Sequence, residues 1–210
     1  MTKAVLFDVD GTLLDTTEYI YQAFEYTLGE HGVRMTREEM KKHMGKLLRE
    51  MYRIYAPEHD SEMLAKTHHE YQKDKGHLAI PFPRVEETLS ELRGKKIKLA
   101  AVTNRYKASS HGTLRSSGLM KFFDVVVTAD EVKNAKPHPE PFLKALTELN
   151  VSAHDALVVG DTKNDVEAAK SAGIKVIAVS YGFEGTAIEK TAPDYIVHDI
   201  KDIVPIVLRY

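Results

Sequence analysis

Short apolar runs alternate with longer amphipathic segments along most of this chain. Five runs rich in valine, isoleucine and leucine have the length of buried strands: VLFDVD from Val5, IKLAAVTN from Ile97, DVVVTAD from Asp124, ALVVGD from Ala156 and IKVIAVS from Ile174. Helical patterns lie between the later runs, including EPFLKALTELN and DVEAAKSAG, the second of which ends in a capping glycine, Gly173. This alternation predicts an α/β fold with a parallel sheet covered by helices on both faces.

Residues 16–80 break this alternation. They contain no run typical of a strand, but they do contain helix-like stretches such as TEYIYQAFEYTLGEHG and TREEMKKHMGKLLREMYRIY, punctuated by glycines. We therefore predict a small all-helical cap at residues 16–80, inserted after the first strand of a core domain formed by residues 1–15 and 81–210. Pro81 and Pro83 suit a stiff, extended hinge where the chain returns to the core.

Polar side chains follow three of the predicted strands. They are Asp8 and Asp10 at the first strand, Thr103 and Asn104 at the second, and Asp161 at the fourth. Lys136, within NAKPHPEPF, comes just before the helix that leads to the fourth strand. Because the carboxyl ends of parallel strands meet at one edge, where ligands bind, we expect these side chains to share a pocket.

Each of these residues alone also has an ordinary structural explanation. An aspartate at a strand end often caps a turn or a helix, Thr103 can cap the helix that follows it, and Asp161 with Asp165 can complement a helix N-terminus. Only their joint order favours a functional site. Burying an unpaired carboxylate is costly, so two of them at the end of an apolar strand require a cation, hydrogen-bond donors or water.

The composition of the chain limits the classes of ligand and partner that this pocket can serve. The chain has 210 residues, 43% of them hydrophobic, a formal net charge of -2 and no cysteine. There is no basic field to hold a nucleic-acid backbone, and disulfides, thiolate catalysis and cysteine-bound zinc are excluded. With no apolar stretch typical of a signal peptide or membrane span, we expect a cytoplasmic protein without membrane or nucleic-acid partners.

Four motifs, KAVLFDVDGTLLDT, VTNR, AKPHPEP and GDTKND, occur in this order along nearly the whole chain. Together they resemble the haloacid dehalogenase-like hydrolase superfamily, and specifically its phosphatases with a helical cap after the first strand. The resemblance implies a Rossmann-like parallel sheet and hydrolysis of phosphoric ester bonds. The pattern is most similar to phosphoglycolate phosphatases and to a related bacterial pyrophosphatase, so a small phosphorylated metabolite is the expected substrate.

The resemblance also implies roles for the carboxylates. Asp8 is expected to be the nucleophile that forms an aspartyl-phosphate, and Asp10 the general acid and base. Asp161 is expected to bind Mg²⁺ together with the Asp8 side chain and the Asp10 main-chain carbonyl, while Asp165 supports these ligands. Oxygen ligands of this kind suit a hard cation such as Mg²⁺.

Three further residues are expected to handle the phosphoryl group. The resemblance assigns the phosphate cradle to Thr103 and the Asn104 backbone, and a fixed positive charge to Lys136. The chemistry agrees, because a phosphate dianion repels a carboxylate nucleophile and the attack needs positive charge to hold both in line.

In the cap, the stretch HMGKLLRE contains Gly45, Lys46 and Arg49 where related phosphatases carry a substrate-specificity loop. Lys46 and Arg49 are three apart on a predicted helical path and suit a small anionic leaving group. A solvated basic helix face is the alternative explanation. For His68 and His69 we predict a solvated cap helix and no metal site, because adjacent helical residues do not share a face.

Rival functions differ at particular positions. A haloacid dehalogenase lacks the second aspartate, which is present here as Asp10. Sugar-phosphate mutases of the family carry a histidine at the position of Ile20 and a glutamate at that of Gly160. A catalytically inactive binding module is expected to have lost a core motif residue, and none is missing. A phosphatase is therefore favoured, as a monomer or a homodimer, with pyrophosphate hydrolysis as the main alternative activity.

Overall fold

The predicted strands assemble into one parallel sheet in the computed structural model, which describes residues 1–210. The chain has eight strands: β1 (Ala4–Phe7), β2 (Leu14–Asp15), β3 (Ile80–Pro81), β4 (Lys98–Val102), β5 (Val125–Val127), β6 (Ala156–Gly160), β7 (Lys175–Val179) and β8 (Tyr195–Val197). Six of them form the main sheet in the order β5-β4-β1-β6-β7-β8, and every neighbouring pair is parallel. The predicted α/β fold is confirmed.

Helices cover both faces of this sheet. The chain has nine α-helices: α1 (Thr17–Gly29), α2 (Arg37–Lys41), α3 (Leu48–Tyr55), α4 (Ser61–Gln72), α5 (Val85–Gly94), α6 (Lys107–Ser116), α7 (Glu140–Leu149), α8 (Lys163–Ser171) and α9 (Ile203–Arg209). Side chains of β1 alternate between two hydrophobic clusters, one shared with α5 and α9 and the other with α7 and α8. No helix combines the length and the apolar character needed to cross a lipid bilayer.

Strand β8 is the one strand of the main sheet that the sequence pattern does not predict. It is three residues long and lies at the edge of the sheet beside β7. Its central residue, Ile196, is exposed, whereas the strands at the middle of the sheet are buried throughout. A short edge strand needs no continuous apolar run, so the pattern is too weak to predict it.

Between β2 and β3 the chain forms only helices and turns. Helices α1, α3 and α4 surround their own hydrophobic cluster, in which Phe24 lies 4.9 Å from Tyr52 between ring centroids. β2 and β3 pair antiparallel at the point where the chain leaves the sheet domain and returns to it. This arrangement is compatible with the predicted cap at residues 16–80, and we use the word cap for that segment below.

The helix-like stretch TREEMKKHMGKLLREMYRIY forms two helices that are separated at its glycine. Helix α2 ends at Lys41, α3 begins at Leu48, and the turn between them contains Gly45 with φ of +84°. Lys46 therefore precedes α3, and the predicted helical path from Lys46 to Arg49 is wrong. A left-handed backbone is readily adopted by glycine, which explains why the helix is interrupted there.

Candidate active site

The side chains of Asp8, Lys136 and Asp165 form a buried ionic cluster at the carboxyl edge of the sheet. Asp8 directly follows β1, and Asp165 lies in the first turn of α8. Nζ of Lys136 donates to Oδ1 of Asp8 at 2.5 Å, to Oδ1 of Asp165 at 2.6 Å and to the carbonyl oxygen of Val102 at 2.9 Å. Burial alone would lower the pKa of Lys136, but the carboxylates of Asp165 and Asp8 raise it. Lys136 is therefore a fixed positive charge.

Asp161 brings a third carboxylate to this cluster. The carboxylate oxygens of Asp8, Asp161 and Asp165 lie within 4.8 Å of one another. Burial raises the pKa of Asp8 to about 8 against the opposing effect of Lys136, with further increases from Asp165 and Asp10. Burial and the charges of Asp8 and Asp165 raise the pKa of Asp161 well above its ordinary value. One ammonium is too little positive charge for three buried carboxylates.

A divalent cation fits this donor set. Asp161 accepts hydrogen bonds from Oγ1 of Thr12 at 3.0 Å and from the backbone N–H of Phe183 at 2.7 Å, which fix the orientation of its carboxylate. Gly11 has φ of +86°, and a Cβ there would collide with the Asp161 carboxylate. Only a glycine at position 11 therefore allows the backbone after β1 to approach Asp161 this closely. Oxygen ligands that are buried, crowded and held in place are suited to a hard metal ion.

Asp165 has a different environment from the other two carboxylates. Its Oδ2 accepts from the backbone N–H of Thr162 at 3.1 Å and from Oγ1 of Thr162 at 2.6 Å, which forms the capping box of α8. Its other oxygen accepts from Lys136. Asp165 therefore links Lys136 to the first turn of α8, which suits the supporting position expected of it.

The side chain of Asp10 lies apart from the carboxylate cluster. Its Oδ2 accepts from Oγ1 of Thr103 at 3.3 Å, and its Oδ1 accepts from Nη1 of Arg105 at 2.9 Å. Asp10 and Asp8 thus have different hydrogen-bond partners, although the two residues are only two apart in the chain. Sequence reasoning gave no role to Arg105, even though it completes the VTNR motif and is the first cation after the predicted cradle.

Asn104 connects the strand end to both the Lys136 loop and the cap. Its Oδ1 accepts from the backbone N–H of Lys136 at 2.9 Å, and its Nδ2 donates to the carbonyl oxygens of Lys136 at 2.8 Å and Gly45 at 2.9 Å. Nδ2 of Asn164, in α8, donates to the same Gly45 oxygen at 2.9 Å. Gly45 is therefore the cap residue that hydrogen-bonds to the catalytic edge through its backbone.

The three cap residues singled out from the sequence lie in two places. Gly45 and Lys46 line a cavity of about 70 Å³ between the cap and the strand ends, together with Asp8, Asp10 and Lys136. Arg49 lines an adjacent cavity instead, and its Nε lies 2.8 Å from a carboxylate oxygen of Glu62. Lys46 is exposed and belongs to no ion pair of the chain.

His68 and His69 were predicted to lie on a solvated helix, and this is wrong. His68 is 2% exposed, and its Nδ1 lies 2.8 Å from the hydroxyl of Tyr52. His69 is half-buried with its ring stacked on Tyr106. Both line the wall of the catalytic cavity. Two adjacent residues of α4 thus line the same cavity, which helical periodicity does not indicate.

The motifs and the geometry can be compared with known proteins. The family model described as haloacid dehalogenase-like hydrolase matches residues 5–179. The chain belongs to this family. The match includes the helical segment as well as the catalytic edge, so the resemblance of the four motifs is confirmed.

Individual members of the haloacid dehalogenase-like family agree over nearly the whole length. A relative from Oceanobacillus iheyensis, named pyrophosphatase PpaX, is 34% identical over 206 residues, which cover 98% of this chain and 96% of the relative. A predicted phosphatase from Clostridium acetobutylicum has a TM-score of 0.89 at 25% identity and 100% coverage of both chains. A predicted phosphoglycolate phosphatase from Haemophilus somnus has a TM-score of 0.89 at 25% identity, covering 98% of this chain and 97% of that one. The chain is a phosphatase that hydrolyses phosphoester bonds.

Proposed function

We propose that this chain is a Mg²⁺-dependent phosphatase that hydrolyses a small phosphomonoester of the phosphoglycolate type through an aspartyl-phosphate on Asp8. The observation that carries the proposal is the position of Asp8, whose carboxylate is paired with Lys136 beside Asp161 and faces the same cavity as Asp10. The cavity thus combines a nucleophile, a fixed positive charge, a candidate cation site and a second carboxylate, Asp10, for proton transfer.

The reaction follows from these positions. A carboxylate oxygen of Asp8 attacks phosphorus, and the bond from phosphorus to the leaving oxygen breaks while Asp10 donates its proton to that oxygen. Asp10 then takes a proton from a water molecule, which attacks the same phosphorus and breaks its bond to Asp8. Inorganic phosphate is released and the Asp8 carboxylate is restored.

Three other residues hold the phosphoryl group during both steps. The Thr103 hydroxyl and the Asn104 backbone N–H donate to its oxygens, and Lys136 balances the negative charge near Asp8. Mg²⁺, held by Asp8, Asp161 and the main-chain carbonyl of Asp10, would supply further charge neutralisation at the phosphoryl oxygens. Asp165 orients Lys136 through the 2.6 Å ion pair.

The size of the cavity supports a small substrate. Its volume of about 70 Å³ suits a compact ligand. Gly45 and Lys46 belong to the cap side of this cavity, and we propose that they contribute to substrate selection when the cap closes over it. We propose a weaker contribution for Arg49, because Glu62 neutralises it in the adjacent cavity.

Pyrophosphate hydrolysis is the second candidate. The observation that favours it is the similarity to the Oceanobacillus iheyensis relative, which is named a pyrophosphatase and is 34% identical over nearly the whole chain. Pyrophosphate also provides a compact, negatively charged leaving group. The ammonium of Lys46 can bind this group as well as it can bind a carboxylate.

A sugar-phosphate mutase is disfavoured by two positions. Ile20 gives the cavity an apolar wall where the mutases carry a histidine. At Gly160, a Cβ would collide with the Asp165 side chain, so a glutamate cannot be accommodated without moving α8. The chain therefore lacks both groups that distinguish the mutases, one in the cap and one at the catalytic edge.

Phosphate release from a panel of substrates tests the proposal. The panel contains phosphoglycolate, pyrophosphate, phenyl phosphate and a hexose phosphate, each assayed with Mg²⁺ and with a chelator. We expect phosphoglycolate to be hydrolysed fastest and activity to disappear with the chelator. Preferred hydrolysis of pyrophosphate would select the second candidate, and chelator-resistant activity would contradict the role of the metal.

A further inference from the structure

The guanidinium of Arg105 has a buried donor without a partner. Arg105 follows the phosphate cradle directly, its side chain is 15% exposed, and its Cζ lies 4.8 Å from the ring centroid of Tyr19. Nη1 donates to Asp10 at 2.9 Å and to Oγ1 of Thr113 at 3.3 Å. Nη2 is buried and has no hydrogen-bond acceptor. Arg105 also lines the catalytic cavity. Because a buried N–H without an acceptor costs free energy, an anion that Nη2 meets from the cavity would remove that cost.

The position of Asp10 indicates how far Arg105 lies from the phosphorus–oxygen bond that is broken. In the proposed mechanism Asp10 protonates the leaving oxygen, so its carboxyl is one hydrogen bond away from that oxygen. Arg105 is one hydrogen bond away from Asp10. The guanidinium is therefore within two hydrogen-bond lengths, ~6 Å, of the leaving oxygen. A group attached one or two atoms beyond that oxygen is within its reach.

Few other positive charges are available at this side of the cavity. Lys136 is occupied by Asp8, Asp165 and a backbone carbonyl. Burial lowers the pKa of His68 and of His69, so neither ring is charged at neutral pH. Lys46 is exposed and reaches the cavity from the cap. Arg105 is thus the one buried cation that can meet a second negative group.

We propose that Arg105 binds an anionic group of the leaving group, a carboxylate or a second phosphate, and makes the chain selective for small phosphorylated substrates that carry this anion next to the scissile bond. The inference rests on the proposed function, from which it takes the role of Asp10. A planar guanidinium binds a carboxylate or phosphate through parallel N–H groups, whereas an uncharged amide in the same place offers one acceptor and no charge.

Equilibrium binding tests this inference separately from turnover. The Asp8→Asn chain, which has no carboxylate nucleophile, is titrated in the presence of Mg²⁺ with two ligands. They are phosphoglycolate and phosphoglycolamide, in which an uncharged amide replaces the carboxylate and the phosphate is retained. With Arg105 intact, we expect the acid to bind about 10- to 100-fold more tightly than the amide. With Arg105→Gln added, the acid-to-amide ratio should fall about 10-fold, which leaves only the contribution of Lys46, and Arg105→Lys should restore it in part.

The control is Arg115→Gln, which makes the same chemical change at an exposed position of α6 and should leave the ratio unchanged. A ratio near one with Arg105 intact would overturn the inference, as would a ratio that Arg105→Gln leaves unchanged or an absence of phosphoglycolate binding. If Arg105→Gln fails to fold, the acid-to-amide ratio of the chain that keeps Arg105 still tests the inference. Loss of the proposed function has a different signature, namely no Mg²⁺-dependent phosphate release from the unmodified chain.

Discussion

The catalytic edge of the sheet and the cap face opposite it differ in how completely their polar groups are partnered. At the edge, Lys136 contacts three oxygen acceptors and Asp161 accepts from two donors. On the cap face, Lys46 has no ion pair and both ring nitrogens of His69 lack a partner. Apart from Nη2 of Arg105, the polar groups of the edge are held in place by one another, which suits a preorganised site, whereas the cap face keeps polar groups that no residue of the chain partners. We therefore propose that the chemistry belongs to the edge, and that recognition of the leaving group is shared between Arg105 at the edge and Lys46 on the cap face.

The largest effect should come from removing the nucleophile at the edge. Asp8→Asn leaves the shape of the side chain almost unchanged, but an amide neither attacks phosphorus nor binds a metal well. We expect turnover to fall by about 10³-fold or more in steady-state phosphate release, with the melting temperature preserved. Near-normal turnover in this variant would contradict the role of Asp8 as the nucleophile.

Asp161→Asn should separate activity from stability. Burial and two neighbouring carboxylates raise the pKa of Asp161, so its ionised form destabilises the folded state above the pKa of the unfolded chain, ~3.9. At pH 8 with a chelator, we therefore expect the variant to melt at a higher temperature than the unmodified chain, while its activity falls about 10²-fold.

Added Mg²⁺ provides the control for this variant. It should raise the melting temperature of the unmodified chain at pH 8 and have little effect on Asp161→Asn, because the metal relieves a repulsion that the variant no longer has. Equal stabilisation of both chains by Mg²⁺ would show that the cation binds elsewhere.

Substitutions on the cap side should change substrate preference rather than chemistry. We expect Lys46→Ala to lower kcat/KM about 10-fold for phosphoglycolate and pyrophosphate and to leave phenyl phosphate nearly unaffected. Arg49→Ala should have a smaller effect, since its guanidinium is paired with Glu62 in the adjacent cavity. Equal losses on all three substrates, measured side by side, would remove the distinction between edge and cap.

The smallest expected effect concerns the contact between the two surfaces. Asn164 donates one hydrogen bond to the Gly45 carbonyl, which is worth about 1 kcal/mol, or about five-fold in a closing equilibrium. Asn164→Ala should therefore raise KM about five-fold with kcat little changed. Lys163→Ala, in the same turn of α8 but without a cap contact, serves as the control. A change in kcat alone would argue that Asn164 affects the edge directly.

The sequence was more informative about the edge than about the cap face. Asp8 and Asp161 directly follow apolar strands, so a parallel sheet brings them together whatever the rest of the chain does. His68 lines the cavity because α4 packs on α1 and α3. Lys46 lines it because the chain turns at Gly45 between two helices. Neither arrangement can be predicted from the spacing of hydrophobic residues. Arg105 had a signal, its place after the cradle, but its partner Asp10 lies 95 residues away in the chain.

The central claim is that the phosphoryl group passes through Asp8, and direct trapping tests it. In Asp10→Asn, an aryl phosphate with a good leaving group can still phosphorylate Asp8, because that step no longer needs an acid, whereas water attack has lost its base. The mixture is quenched in acid within one turnover and mapped by peptide mass spectrometry. We predict a phosphoryl group on Asp8, accumulating more in Asp10→Asn than in the unmodified chain. A phosphoryl group on another residue, or release of the aryl alcohol without any phosphorylated peptide, would contradict the account.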